Sequence, residues 1–269
     1  MSLPCRRPEG APLPAAPLTL GEYEALNPRG EIVHEGRTMT FATPNALALT
    51  RVRTIREKEP WTLEWIAGFR EGEVLADVGA NVGMYTIWAA VTRRCRVLAF
   101  EPEAQNYALL NRNIRLNGVE AIATAYCLGL AERSGLSVLH MTDLRAGASC
   151  HALGDALDFR HQPMQVAFSQ GCVSATLDEL VESGAVPVPN HVKIDVDGFE
   201  PRVVAGARRT LRNPALRSLL VETNPALEDH RAMVDEIRAL GFRLDPAQVE
   251  RATRREGLFQ GVAEHVFER

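Results

Sequence analysis

Short apolar runs and longer amphipathic stretches alternate through residues 73–126 of this chain. "EVLADVG" (73–79) has the length and character of a buried strand, "NVGMYTIWAAVTRR" (81–94) reads as a helix and "CRVLAFEP" (95–102) as a second strand. "EAQNYALLNRNIRLNG" (103–118) is a further helix closed by Gly118, and "AIATAYCLG" (121–129) a third strand. The same rhythm resumes later with "TLDELVESG" (helix), "HVKIDV" (strand), "GFEPRVVAGARRTLR" (helix), "SLLVET" (strand) and a helix over 228–240. Such strand–helix alternation predicts βαβ units and a mostly parallel sheet covered on both faces. "FRL" and "EHVFE" end the chain as two strands with no helix expected between them, which predicts an antiparallel edge hairpin.

Two regions break the rhythm. "GEIVHEGRTMTFAT" (30–43) alternates about Glu35-Gly36 and predicts a hairpin, followed by a helical stretch over 46–69 recapped near Pro60 and Thr62. That stretch carries Arg51, Arg53, Glu59, Trp61 and Trp65 with no linker before the sheet, so it is expected to close over the ligand. Between "SGLSVLHM" and "MQVAF", both strand-like, lies a polar segment rich in small residues; the insertion over 140–172 is expected to be a substrate or lid loop. Its histidines 140, 151 and 161 follow no metal spacing and read as surface or acceptor contacts.

Composition narrows the classes. Over 269 residues, 30 basic against 34 acidic residues give a net charge of −4, which argues against nucleic-acid or membrane-surface attraction. The five cysteines form no CxxC pair and are expected to be reduced thiols of a cytoplasmic protein. No run is long enough to span a membrane, and the Pro-broken N-terminus lacks the apolar core of a signal peptide, so residues 1–20 read as a disordered tail. Lys58 and Lys193 are the only lysines, which makes Lys193 conspicuous inside "HVKIDVDGFE" (191–200).

"DVGANVG" (77–83) ends the first sheet strand and opens a helix. Gly79 and Gly83 would let backbone approach a ligand, and the helix start offers free N–H donors. The spacing is GxxxG rather than the GxGxxG of dinucleotide folds, and Asp77 stands where a pyrophosphate would be repelled. Glu101 closes the second strand about 20 residues on, where a ribose-binding acid belongs. Two acids and no phosphate site favour S-adenosylmethionine, which carries a ribose, an ammonium and a sulfonium. Acids that merely cap helices are the alternative.

"DVGANVGMYTIWAA", "VLAFEPEAQNYALLNRNIRLNG", "ATLDELV" and "VKIDVDGFEPRVVAGA", in this order and at these separations, resemble the FkbM-type S-adenosylmethionine-dependent methyltransferases. "FATPNALALTRVRTIREKEPWTLEWI" is similar to a segment that precedes the sheet in many bacterial members. The resemblance covers roughly residues 40–268. It implies an α/β class I methyltransferase fold: a seven-stranded, Rossmann-like mixed sheet with a reversed C-terminal edge hairpin. The hairpin and helical cap would fill 21–70 and the methyltransferase domain 71–269. By the same likeness Asp77, Gly79, Asn81 and Gly83 line the methionine end of the cofactor, Glu101 holds the ribose, and Asn106 belongs to the cofactor set. The family pattern commonly has Glu where this chain has Asp197, which shortens one carboxylate arm.

Ligands of such sheets sit beyond the carboxyl ends of the strands, where Asp77, Glu101, Asp195 and Glu222 share one rim. Methyl transfer to a hydroxyl needs alignment and a route for the proton. Asp195 is the first candidate for base or acceptor-orienting group, with Lys193 tuning it or holding the developing oxyanion. Asp197 and Glu200 orient the loop or touch substrate; Glu200 is equally placed as a first-turn helix residue. Asp195, Glu222 and Asn224 also resemble the carboxylate and amide ligands of catechol-type methyltransferases, a set suited to Mg²⁺. The alternative preferred on the sequence is a turn at Asn224-Pro225 with Glu222 hydrogen-bonded at the rim. The leading expectation is an O-methyltransferase acting on a hydroxyl of a sugar, a glycan or a natural product, with no nucleic-acid partner, no membrane insertion and homodimerisation left open. An NAD-dependent oxidoreductase and a non-catalytic cofactor-binding module are the other classes.

Overall fold

The sheet is built as the alternation predicts, and its strand order places the site. A computed structural model describes residues 18–269; residues 1–17, most of the expected tail, lie outside the described residues. A short helix α1 (Leu20–Ala25) opens the described chain with a capping box between Thr19 and Glu22. The hairpin follows as β1 (Arg29–His34) and β2 (Arg37–Ala42), turning at Glu35 and Gly36, both with positive φ. Then come α2 (Ala46–Lys58), α3 (Pro60–Ala67), β3 (Val74–Val78), α4 (Met84–Arg93), β4 (Arg96–Phe100), α5 (Ala104–Leu116) and β5 (Ala123–Tyr126). Pro60 is the first residue of α3, where its missing N–H breaks no helical bond.

The insertion is more regular than its composition suggests. β6 (Gly129–Leu130), β7 (Gly135–Met141), β8 (Ala152–Leu153) and β9 (Phe168–Ala175) form a four-stranded sheet of their own in the order β6-β9-β7-β8. After it run α6 (Leu177–Glu182), β10 (His191–Ile194), α7 (Glu200–Ala205), α8 (Arg208–Arg212), β11 (Ser218–Thr223), α9 (Glu228–Ala239), β12 (Arg243–Leu244), α10 (Pro246–Ala252) and β13 (Ala263–Glu268). Two expectations need correction. The helix expected over 198–212 is two short helices, α7 and α8, broken around Gly206, whose Cα hydrogen faces the Ala131 carbonyl so closely that a Cβ would lie 2.0 Å from it. The edge strands β12 and β13 do pair antiparallel, but α10 lies between them.

The main sheet has seven strands in the order β12-β13-β11-β10-β3-β4-β5, all running the same way except β13, which is antiparallel to both its neighbours. Alternate residues of the strands face opposite cores. Leu75, Val97 and Leu220 join the hairpin and α2–α5, while Val74, Ala76, Val192 and Val221 join α6–α9. From β3 the chain moves outward through β4 and β5, then returns to β10 on the other flank. Strand order therefore reverses between β3 and β10, and the crevice beyond their carboxyl ends is where a ligand fits.

Candidate active site

Four strand ends supply the rim. In the β3–β10 register Lys193 is paired with Asp77 and Ile194 with Val78, so Asp195 emerges beside Gly79. Gly79 has φ +77°, and a Cβ there would lie 1.9 Å from the Asp195 carbonyl oxygen. Gly83 (φ +84°) would drive a Cβ to 2.4 Å from Leu110 Cδ1 of α5. Gly79 is thus required by backbone packing and Gly83 by its left-handed backbone, reasons independent of any ligand.

Lys193 is buried, and its Nζ donates to Asp195 Oδ2 at 2.8 Å while lying 5.1 Å from the centre of the Tyr85 ring. Burial alone would lower its pKa, but the carboxylates of Asp195, Asp77 and Glu59 outweigh that and hold it raised. For Asp195 burial works upward, yet the Lys193 and Lys58 charges bring the carboxyl down to about 2. Asp195 is therefore ionised and engaged. Asp197 differs: burial and the nearby Asp195 charge push it up to about 6, although its Oδ2 accepts the Cys150 N–H at 2.7 Å.

Glu101 follows β4 and is buried. Its Oε2 accepts the Asn81 N–H at 2.7 Å and its Oε1 the Glu103 N–H at 2.9 Å, while burial pushes the carboxyl up to about 7. Asp77 is buried with Oδ2 accepting from Thr86 Oγ1 at 2.6 Å, and its Oδ1 has no partner. Asn106 sits in the first turn of α5 but serves the insertion. Its Oδ1 accepts the Gly147 N–H at 2.6 Å and its Nδ2 donates to the Ala148 carbonyl at 3.1 Å. Asn81 Nδ2 donates to that same carbonyl at 2.7 Å. The amide groups of Asn81 and Asn106 thus pin a strap, residues 147–151, across the cavity. Asn106 was expected to hold cofactor directly; its side chain instead positions the strap.

The cavity between rim and strap holds about 700 Å³ of empty space, counting the solvent at its open mouth. Phe100, Leu130, Leu139, Leu153 and Phe199 make its apolar wall, and Gly79, Asn81, Glu101, Asp195 and Asp197 its polar floor. Beside it a smaller pocket brings Arg51, Lys58 and Glu59 of the α2–α3 segment against Gly79, Asn81 and Asp195, so that segment does face the site. Arg51 Nε also donates to the Gly147 carbonyl at 2.6 Å, tying α2 to the strap. Trp65 packs instead into the core and donates to Ser218 Oγ at 2.8 Å, and Trp61 lies under Arg251 away from the site.

Of the three expected metal ligands, Asp195 and Glu222 converge and Asn224 does not. Asn224 Oδ1 accepts the Ala226 N–H at 3.1 Å, closing the turn at Pro225, and Glu222 is ion-paired with Arg254 at 2.9 Å. Glu200, not Asn224, joins Asp195 and Glu222, with carboxylate oxygens of the three within 4.8 Å of one another. Yet Glu200 already accepts the Val196 N–H at 2.8 Å and the Gly198 N–H at 3.2 Å. The positive charge at this corner is Arg254, which also pairs with Glu264 and lies 3.6 Å from Glu59. Burial would lower its pKa, but Glu222, Glu264 and Glu59 hold it raised. These residues supply their own cation, so the set does not fit a Mg²⁺ site. His161 and His230 likewise spend ring nitrogens on the Gly198 carbonyl, at 2.9 and 3.1 Å.

Glu59, Tyr85, Arg254 and Glu264 form a buried polar network that pattern reading did not assemble. Tyr85 Oη donates to Glu59 Oε2 at 2.5 Å and Lys58 Nζ meets Glu59 Oε1 at 2.8 Å. The one legible signal was Glu59 itself, a charge placed directly before a helix-starting proline.

The methyltransferase FkbM domain model matches residues 77–244, more than half of the chain. Among curated proteins, the chain is 27% identical over 178 residues to a hexuronic acid methyltransferase of Haloferax volcanii, covering 66% of this chain and 68% of that protein. It is 26% identical over 157 residues to a methyltransferase 1 of Beauveria bassiana, covering 52% of this chain and 61% of that protein. Among solved structures, a methyltransferase FkbM from Methylobacillus flagellatus aligns with a TM-score of 0.49 at 15% identity, over 75% of this chain and 44% of that one. The chain thus spans less than two thirds of the last two. Among the described residues, no helix is long and apolar enough to cross a membrane. The family-model match, joined to a seven-stranded sheet with its reversed edge, makes the chain a member of the FkbM methyltransferase family.

Proposed function

We propose that the protein is an S-adenosylmethionine-dependent O-methyltransferase whose acceptor is a sugar of the hexuronic-acid class, free or within a glycan. The observation that carries this reading is Glu101, buried at the end of β4 in the same cavity as Asp195 and Asp197. The likeness to a hexuronic acid methyltransferase supports the acceptor class.

The residues present fit the cofactor. Asp77 Oδ1 is a buried acceptor without a donor, although Asp77 lines neither pocket, and the carboxylates that line the main cavity, Glu101, Asp195 and Asp197, suit a cation. Glu101 would hold the ribose, with the Asn81 and Glu103 N–H groups orienting its carboxylate. When bound, S-adenosylmethionine supplies a sulfonium methyl group and leaves as S-adenosylhomocysteine. The strap and the apolar wall border the place of transfer.

Asp195, held at about 2 by Lys193, is a poor proton acceptor at neutral pH and serves as a fixed charge that orients the acceptor hydroxyl. Asp197, at about 6, is the better base, and we assign it the hydroxyl proton. Incubating the protein with S-adenosylmethionine and a panel of uronate-bearing and neutral glycans, with products read by mass, tests the reading. A single methyl added to a uronate-bearing sugar is expected; methylation confined to non-sugar acceptors would overturn it.

A further inference from the structure

Both ring nitrogens of His151 are shut off from solvent and have no hydrogen-bond partner. A buried donor and acceptor left unmade are costly, and native chains rarely tolerate the pair without a ligand or water to complete them. The other two histidines of the insertion are satisfied. His140 bridges Ser169 Oγ and the Gly154 carbonyl, both at 3.0 Å, and His161 meets the Gly198 carbonyl. His151 alone of the three lines the main cavity.

Its place in that cavity can be read from its neighbours. His151 ends the strap that Asn81 and Asn106 hold through the Ala148 carbonyl, and the Asn81 backbone N–H bonds Glu101. Of the charges acting on the ring, Glu103 bonds Glu101 through its backbone N–H, while Arg51 lines the small pocket against Asp195. Burial lowers its pKa, so the ring is neutral and offers one N–H donor and one bare acceptor. A hydroxyl, which both donates and accepts, is its chemical complement.

We propose that His151 is a cofactor-binding residue whose ring hydrogen-bonds a ribose hydroxyl of S-adenosylmethionine, making the strap part of the cofactor site. This rests on the reading of the cavity as an S-adenosylmethionine site. It gives the insertion a role in holding cofactor rather than in selecting acceptor alone.

The test is calorimetric titration of S-adenosylhomocysteine and its 2′-deoxy and 3′-deoxy analogues into wild type and His151→Phe, which keeps a ring and removes both nitrogens. His151→Gln, which keeps a donor and an acceptor, is the second variant should the first fail to fold. Wild type should bind the parent ligand, and His151→Phe should raise Kd about five- to twentyfold, the scale of one or two lost hydrogen bonds. One deoxy analogue should lose less affinity in the variant than in wild type. A Kd within about twofold of wild type in a folded variant overturns the proposal, because water then suffices as partner. An equal loss for all three ligands overturns the ribose assignment. Failure of wild type to bind S-adenosylhomocysteine would instead sink the underlying functional reading.

Discussion

Lys193 and Asp195 point to the same side of β10 and meet at 2.8 Å, a buried cation holding a carboxylate at the centre of the rim. Removing the cation leaves Asp195, Asp77 and Glu59 without a charge they share. Lys193→Met is expected to destabilise the protein by about 3–5 kcal/mol, the range for breaking a buried pair. Combining it with Asp195→Asn should recover part of the loss. Urea unfolding of both variants checks this; a single variant as stable as wild type would mean the pair carries no net energy.

Asp197 is assigned the proton of a hydroxyl acceptor. Asp197→Asn keeps the shape and removes the basicity, so turnover should fall by about 10²-fold with little change in cofactor affinity. A uronate offers its carboxylate as well as hydroxyls, and a carboxylate needs no base. Wild-type turnover in the Asn variant would therefore show that the carboxylate oxygen, not a hydroxyl, is methylated.

Gly79 is expected to tolerate no side chain. Gly79→Ala combines a left-handed backbone with a Cβ 1.9 Å from the Asp195 carbonyl oxygen, so β3 and β10 must part. A loss of about 3 kcal/mol or more in thermal or urea unfolding is expected. A variant of unchanged stability would mean that the loop shifts freely.

What was legible in the sequence follows from locality. Asp77, Gly79 and Glu101 could be found because each stands where an apolar run gives way to a helix, and the strand order then brings them to one rim. The need for Gly79, by contrast, comes from Asp195, far along the chain, and no local pattern reveals it. Arg254 was hidden in an arginine-rich stretch after α10, a helix that the apparent edge hairpin left no room for. Asn106 and Asn224 stand at ligand positions in the sequence, but backbone groups of the fold occupy their amides. His151 could not be told from His140 and His161 until the strap was traced.

Stability should fall as pH rises above about 6.5. Burial raises the folded-state pKa of Asp197 to about 6 and of Glu101 and Glu264 to about 7, above their ordinary carboxyl values. Their protonated forms are thus favoured in the folded state. That contribution is complete below about pH 4 and is lost as pH climbs through about 6 to 7. Asp195, lowered to about 2, and the histidines 151, 191, 230 and 265, lowered from about 6.5 by burial, have the opposite sign: Asp195 matters only below about pH 4, but the histidine contribution is lost as pH falls below about 6.5. Urea unfolding at about pH 6.5, 7.5 and 8.5, above the histidine range, should show a decline for the ligand-free protein. The decline should be shallower with bound S-adenosylmethionine, whose sulfonium offsets the ionised carboxylates; a rising or flat profile would contradict the burial of these acids.

The most direct measurement is calorimetric titration of S-adenosylhomocysteine and NAD into wild type and Glu101→Ala. One site for S-adenosylhomocysteine, none for NAD, and a loss of about tenfold or more in the variant are expected, as charge-assisted hydrogen bonds to the ribose disappear. Binding of NAD in place of S-adenosylhomocysteine, or a folded Glu101→Ala protein with wild-type affinity, would contradict the assignment of this cavity.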